Sequence, residues 1–273
     1  MKKDEHGNRM KLYEKHGIER FMPLLPVCAR LDGKCFSKFT KGFDRPFDSG
    51  MINLMQHVTE ILVAETCADI GYTQSDEISL IWKNDKVNSQ IFFDSKIQKM
   101  VSVLASMCTA YFNANAEFFL PHAKHKLALF DCRAWQVPNI TEASNVLLWR
   151  EKDATKNSVS MLGHEYFSHK QLHKKTANDI QNMLLTQHDV NSSDYPNAFK
   201  RGTYVVRNAI TSKPSTEEIK LLSPKHNAHN NPDFKVTRHV IEMVNFPPMG
   251  KVINRNEVYF EGVEPKHMDP YDK

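Results

Sequence analysis

Long hydrophobic runs are missing from this sequence, and their absence removes one group of functions. No window approaches the roughly 20 consecutive apolar residues of a membrane-spanning helix. The opening MKKDEHGNRM also lacks the apolar stretch of a secretory leader. The expectation is a cytoplasmic protein without a membrane partner. Close cysteine pairs are missing too. Cys28, Cys35, Cys67, Cys108 and Cys132 are odd in number and widely spaced, unlike a disulfide framework or the paired ligands of zinc ribbons and dithiol redox sites. They read as reduced thiols, mostly filling a core. There is no internal repeat or low-complexity block. A content of 41% hydrophobic, 25% charged and 10% aromatic residues excludes disorder, collagen and coiled coil. The 273 residues suit a catalytic-sized core plus an elaboration.

Charge of one sign is also scarce overall, since the net value is only +4, but it is unevenly placed. From Pro196 to His239 eight cations (Lys200, Arg201, Arg207, Lys213, Lys220, Lys225, Lys235 and Arg238) face three anions. A second basic stretch runs from His169 to Lys175. Such segments suit a polyphosphate or nucleic-acid backbone, and equally a solvated face.

The apolar pattern predicts a strand over Leu24–Leu31 ending at Asp32-Gly33, then a helix capped by Asp48 or Ser49 and running to about Cys67. Ala68–Thr73 and Ile78–Trp82 read as a hairpin with Gln74-Ser75-Asp76-Glu77 at its tip. A second long helix follows, capped by Asp94 or Ser95, and a fourth strand covers Leu127–Phe130 and continues to Arg133. The order βαββαβ is the split arrangement of ferredoxin-like α+β folds. Its first and third strands are adjacent, so Asp32 meets the acidic hairpin tip. Beyond Asn139 the pattern turns helical, over Thr141–Lys152, Ser158–Phe167 and His169–Gln187 with Ser168 as cap. Strands over Thr203–Arg207 and Lys235–Val244 and a frayed tail from Glu264 complete the reading. It divides the chain into a palm-like part, residues 1–138, and a helical, basic part, residues 139–273.

Asp32, Asp76 and Glu77 form the strongest constellation. Hard divalent cations bind few carboxylates and leave room for phosphates, although aspartates also stabilise turns. The runs Arg30-Leu31-Asp32-Gly33-Lys34-Cys35-Phe36, Phe39-Thr40-Lys41-Gly42-Phe43 and Gln74-Ser75-Asp76-Glu77-Ile78-Ser79 closely resemble the histidine-tRNA guanylyltransferase family, which includes the Thg1-like 3′–5′ polymerases. The likeness covers roughly residues 25–207. It implies a polymerase-type palm that adds nucleotides to a tRNA 5′ end, with ATP or GTP as activating nucleotide, two Mg²⁺ ions as cofactor and a homo-tetrameric assembly. Carried over by position, Asp32, Asp76 and the Gly33 carbonyl would bind the metals, with Glu77 in support. Backbone groups of Gly33, Lys34, Cys35 and Phe36, with Ser75, would cradle the triphosphate.

The sequence also departs from the family's pattern. Lys-Pro-Asn-Asp appears as Arg45-Pro46-Phe47-Asp48, leaving Arg45 for a phosphate and Asp48 either for a base or as a helix cap. Asp-Gly-Arg appears as Asp131-Cys132-Arg133, with Arg133 a phosphate or RNA ligand or a strand-end ion pair. His-Ile-Asn-Asn becomes Thr155-Lys156-Asn157-Ser158, which keeps Asn157 as an RNA contact or a helix cap. The loss of that histidine favours a Thg1-like enzyme that repairs 5′ ends opposite a template over one specific for histidine tRNA. Phe199-Lys200-Arg201-Gly202-Thr203 resembles the family's Arg-Lys-Gly-Thr, so Lys200 and Arg201 would meet the activated end or the triphosphate, unless they are an exposed basic turn. A nucleotide cyclase and a non-catalytic RNA-binding palm are the competing readings. The basic helices disfavour the first, and the retained carboxylates disfavour the second.

Overall fold

Period-two alternation along the strands sorts the side chains onto two faces of one sheet. In strand β1 (Val27–Gly33), Val27, Ala29 and Leu31 point to one face and Cys28, Arg30 and Asp32 to the other. The computed structural model describes residues 5–268 apart from 17, 18, 88, 90, 124 and 232. Helix α1 (Glu5–His16) precedes β1, and the single-turn helix α2 (Phe36–Phe39) follows it. Helix α3 (Ser49–Thr66) leads to the hairpin β2 (Ile70–Gln74) and β3 (Glu77–Trp82), and helix α4 (Ile97–Phe119) to β4 (Phe130–Gln136). After helix α5 (Ile140–Tyr166) come α6 (His169–Leu172), α7 (Ala177–His188) and α8 (Asn197–Arg201). Strand β5 (Thr203–Ser212), helix α9 (Thr216–Leu221), strand β6 (Val236–Val244) and helix α10 (Arg255–Glu261) close the chain.

All six strands belong to one antiparallel sheet in the order β4-β1-β3-β2-β5-β6. The first four reproduce the expected βαββαβ palm with β1 beside β3, and Asp32 pairs in register with Glu77. Strands β5 and β6 lengthen the same sheet past β2. Helices α3 and α4 cover one face through Leu54, Val58, Leu62, Met100, Leu104 and Phe112. Helix α5 covers the other through Leu147 and Leu148, packed on Cys28, Ile70, Tyr72 and Ile81. The charged residues of the central strands therefore all face α5.

Several boundaries differ from expectation. The first strand starts at Val27, and the fourth starts at Phe130 rather than Leu127. Asp94 and Ser95 do not cap α4: they lie in a separate 3-10 turn before it, and Asp94 pairs with Arg20. The helices expected over 141–152 and 158–167 are one 27-residue helix, because its polar middle still turns Ala154 and Ser158 inward. The helix expected over 169–187 is two, since Lys174 takes a left-handed conformation and Thr176 restarts the chain with a capping box to Asp179. Ser168 caps the first piece, as expected. The tail from Glu264 is held as far as Met268, whose N–H donates to Lys251 O, while Ile253 N–H donates to Lys266 O. Its last five residues lie outside the described ones.

Candidate active site

The hairpin tip is a two-residue turn: Gln74 pairs with Glu77, and Ser75 is left-handed with φ 55°. Short polar residues tolerate that conformation. The Ser75 hydroxyl donates to Asp76 Oδ1 at 3.1 Å. The turn is fastened to β1 by Gly33 N–H donating to Asp76 O at 3.1 Å. Gly33 is required by crowding, because a Cβ there would lie 2.2 Å from the Phe36 ring. Phe36 itself is buried among Phe39, Phe112 and Phe130. An aromatic cluster thus sets the height of the loop that leaves β1.

Asp32, Gln74, Ser75, Asp76 and Glu77 line a cleft of ≈ 270 Å³ that α5 closes with Asn157, Ser160 and Met161. Burial pushes the Asp76 carboxyl up to about 6, and the negative charges of Asp32 and Glu77 add to the rise. Glu77 is also raised by burial, but Arg150 and Arg30 oppose the rise. The Arg150 guanidinium, from α5, donates to Glu77 Oε2 and at 3.1 Å to Asp153. Arg30 Nε lies 3.4 Å from Glu77 Oε1 in a purely electrostatic contact, lacking hydrogen-bond geometry. Both guanidiniums approach the Trp149 ring, 5.7 and 4.7 Å from its centre. Glu77 is therefore neutralised by arginines, whereas Asp32 has only the exposed Arg133 at 3.8 Å. Among the described residues Asp76 has no salt-bridge partner.

A second, apolar slot of ≈ 110 Å³ shares Ser75, Gln74 and Met161 with the cleft. Phe43, Pro46, Phe47, Met51, Ile52 and Phe199 form its walls, with Arg45 and Asp48 at its lining. Phe47 stacks on Phe199 at 4.9 Å. The Asp48 carboxylate is engaged locally: Oδ1 accepts Met51 N–H at 3.0 Å as the cap of α3, and Oδ2 lies 3.4 Å from His122. Lys200 and Arg201 line neither space. They belong to a third cavity of ≈ 550 Å³ on the far side of Phe199.

Each expected site residue can now be placed. Asp32, Ser75, Asp76, Glu77 and Asn157 share the cleft, and Asn157 is in mid-helix, so it is not a cap. Arg133 forms an ion-pair cluster with Asp32 at 3.8 Å and Asp131 at 3.7 Å, from the middle of β4 rather than its end. The loop after β1 departs from expectation. Gly33 N–H is donated to Asp76 O and Lys34 N–H to Leu129 O, so neither amide is free for a triphosphate, and Phe36 offers only its backbone. Donors at that turn come from Cys35 onward. The sequence reading did not find Arg30, Trp149 and Arg150 as a unit, nor Ser160 and Met161. The visible signal was the Trp-Arg pair, obscured by the polar run after it.

A palm-type sheet with Asp32 and Asp76 at the ends of its central strands, beside an apolar slot, is an arrangement suited to a nucleotidyltransferase. A family model, Thg1: tRNAHis guanylyltransferase, matches residues 7–138. The chain belongs to the tRNAHis guanylyltransferase (Thg1) family. It is 26% identical over 259 residues to a tRNA(His) guanylyltransferase of Schizosaccharomyces pombe, covering 86% of this chain and 96% of that one. It is 30% identical over 183 residues to an uncharacterized protein of Acanthamoeba polyphaga mimivirus, of which the match spans 63%, and covers 59% of this chain. A bacterial Thg1-like protein solved in complex with ATP superposes with a TM-score of 0.69 at 37% identity, covering 74% of this chain and 88% of that one.

Proposed function

We propose that the protein adds nucleotides to the 5′ end of tRNA in the 3′–5′ direction, and that its role is template-dependent 5′-end repair. The observation that supports the reading most is the contrast in charge within the cleft: Glu77 is matched by two guanidiniums, while Asp32 has only the exposed Arg133, shared with Asp131, and Asp76 has no ion-pair partner among the described residues. A carboxylate pair left in that state fits Mg²⁺, which takes one or two protein carboxylates and completes its shell with water and phosphate oxygens. Asp32 and Asp76 would hold two such ions with the Gly33 carbonyl. Bound there, they supply neutralisation of phosphate charge.

The chain's own groups account for the rest. The apolar slot takes the flat base of ATP or GTP, with Arg45 at a phosphate and amides from Cys35 onward as uncharged donors. Phe47 replaces a polar side chain in the slot, and Asp48 is engaged as the cap of α3 rather than turned to a base. A 5′-monophosphate oxygen of the tRNA attacks the α-phosphorus of the nucleotide and expels pyrophosphate, leaving a 5′–5′ anhydride. The 3′-hydroxyl of an incoming triphosphate then attacks that 5′-phosphorus and expels the activating nucleoside monophosphate. Positioning and electrostatics provide most of the acceleration. Asn157 on α5 and Lys200 with Arg201 on α8 orient the RNA end. Thr155-Lys156-Asn157-Ser158, in place of the histidine-containing motif, supports templated repair. The same reading takes the enzyme as a cytoplasmic tetramer.

The test incubates the protein with Mg²⁺, ATP, GTP and two 5′-monophosphorylated tRNAs: intact histidine tRNA and a tRNA lacking its first nucleotide. Asp76→Ala serves as the blank. Extension of the truncated tRNA by the templated base is expected. Extension of intact histidine tRNA alone would instead establish the histidine-specific guanylyltransferase, and no extension of either would overturn the reading.

A further inference from the structure

The cavity of ≈ 550 Å³ beyond Phe199 is larger than the carboxylate cleft of ≈ 270 Å³, and it collects cations from three separate segments. Lys152 and Lys156 come from α5, Lys200 and Arg201 from α8, and Lys251 from the 3-10 turn Met249–Lys251. Among the described residues none of these five cations has a carboxylate within 4 Å, whereas Arg30, Arg133 and Arg150 are all paired. The one carboxylate at the cavity, Glu151, is only 4% exposed. Each of its oxygens accepts one hydrogen bond, from the Tyr204 hydroxyl at 2.7 Å and from Met249 N–H at 2.9 Å, and its single charge faces Arg201 and Lys152 only at longer range.

That bond to Met249 has a structural consequence. It fixes the segment 248–251 against α5, and a Cβ added to Gly250 would lie 3.7 Å from Lys152 Cε, so the segment lies alongside Lys152. Met249 and Val252 are fully buried, and Lys251 O accepts Met268 N–H at 3.0 Å. A strap seated by burial and hydrogen bonds therefore presents an exposed lysine to a cavity that already holds four cations. Concentrating like charges this way costs stability unless an anion offsets it.

We propose that this cavity binds the phosphate backbone of the RNA substrate, and that the carboxyl-terminal strap is part of the RNA site through Lys251. The inference rests on the 5′-end reading above for the identity of the polyanion. Cations spread over α5, α8 and the strap suit phosphates strung along a chain, whereas a single nucleotide's triphosphate has the carboxylate cleft and its metals to go to.

The experiment measures binding of a 5′-monophosphorylated tRNA to the full-length protein across a salt series. It compares wild type, Lys251→Ala, Lys152→Ala and, as an exposed cation of α4 on the opposite face of the sheet, Lys99→Ala, with ATP binding as a separate arm. Each cavity variant should weaken tRNA binding about 3- to 10-fold and lower the slope of log Kd against log salt by about 1. Lys99→Ala should match wild type, ATP affinity should be unchanged, and an unaltered melting curve would show that the fold is retained. Loss of ATP rather than tRNA affinity would assign the cavity to a nucleotide triphosphate and overturn the RNA assignment. Wild-type tRNA affinity in both cavity variants would overturn it while leaving the 5′-end reading intact. Absence of tRNA binding by wild type would overturn both.

Discussion

Asp76 is asked to be buried and charged at once, and the two demands set its pH behaviour. In the metal-free protein its carboxyl titrates at about 6, against 3.8 when unhindered. Between those values the folded chain holds a proton that the unfolded chain has lost, so stability falls as pH rises through the window, and above it the cost is complete. Asp76→Asn removes the cost. Denaturant unfolding at pH 7 without metal should show the variant more stable by about 1–2 kcal/mol. The gain should vanish near pH 4, and the variant should have no transferase activity. A variant no more stable than wild type at pH 7 would contradict the burial argument. Glu77 behaves oppositely under mutation, because its charge is matched. Arg150 is 6% exposed, and replacing it with Met leaves the half-buried Glu77 to Arg30 alone, at an expected cost of about 2–4 kcal/mol. Adding Glu77→Gln should recover part of that loss, which a double-mutant cycle would read directly.

At the scale of elements, what was legible in the sequence was whatever has a period or a local cap. Helix α3 showed its apolar stripe and Asp48, which caps it, and the β2–β3 hairpin showed its polar tip. Helix α5 read as two because its middle is polar on both sides: on one Asn157 and Ser160 line the carboxylate cleft, and on the other Lys152, Thr155 and Lys156 line the basic cavity. Propensity reading takes such a run for a loop. The seat of the strap 248–251 was not legible at all, since it depends on a carboxylate about a hundred residues away. One junction is testable at this scale. Gly202 ends α8 with φ +79°, and a Cβ there would lie 2.6 Å from Thr73 O and 2.5 Å from the Tyr72 hydroxyl. Tyr72 in turn donates to Arg201 O at 2.7 Å. Gly202→Ala should cost about 2–4 kcal/mol, from the strained φ and the clash together. It should also weaken tRNA binding more than ATP binding, because Lys200 and Arg201 move with the junction. An unchanged melting temperature would contradict the close approach.

For the molecule as a whole, the question is whether residues 1–138 and 139–273 are independent. The carboxylates of the cleft all lie in the first part, yet the sheet does not. Strand β5 pairs with β2, and the face holding Cys28, Ile70, Tyr72 and Ile81 is covered by Leu147, Leu148, Tyr204, Val206 and Tyr259 from the second part. Stripping that cover exposes four side chains that are now 0–2% accessible, at about 1.5–3 kcal/mol for each large one. The sum rivals the entire stability of an ordinary domain, about 5–15 kcal/mol, and it leaves β2 as a bare apolar edge. Residues 1–138 expressed alone should therefore bind a hydrophobic dye and melt without a cooperative transition. The full chain should melt in one step, followed by far-ultraviolet circular dichroism and by tryptophan fluorescence alike. Two resolved transitions in the full chain, or a cooperative melt of the fragment, would show that the palm stands without the part that covers it, and the carboxylate cleft, closed by α5, would then be an interface between two folding units.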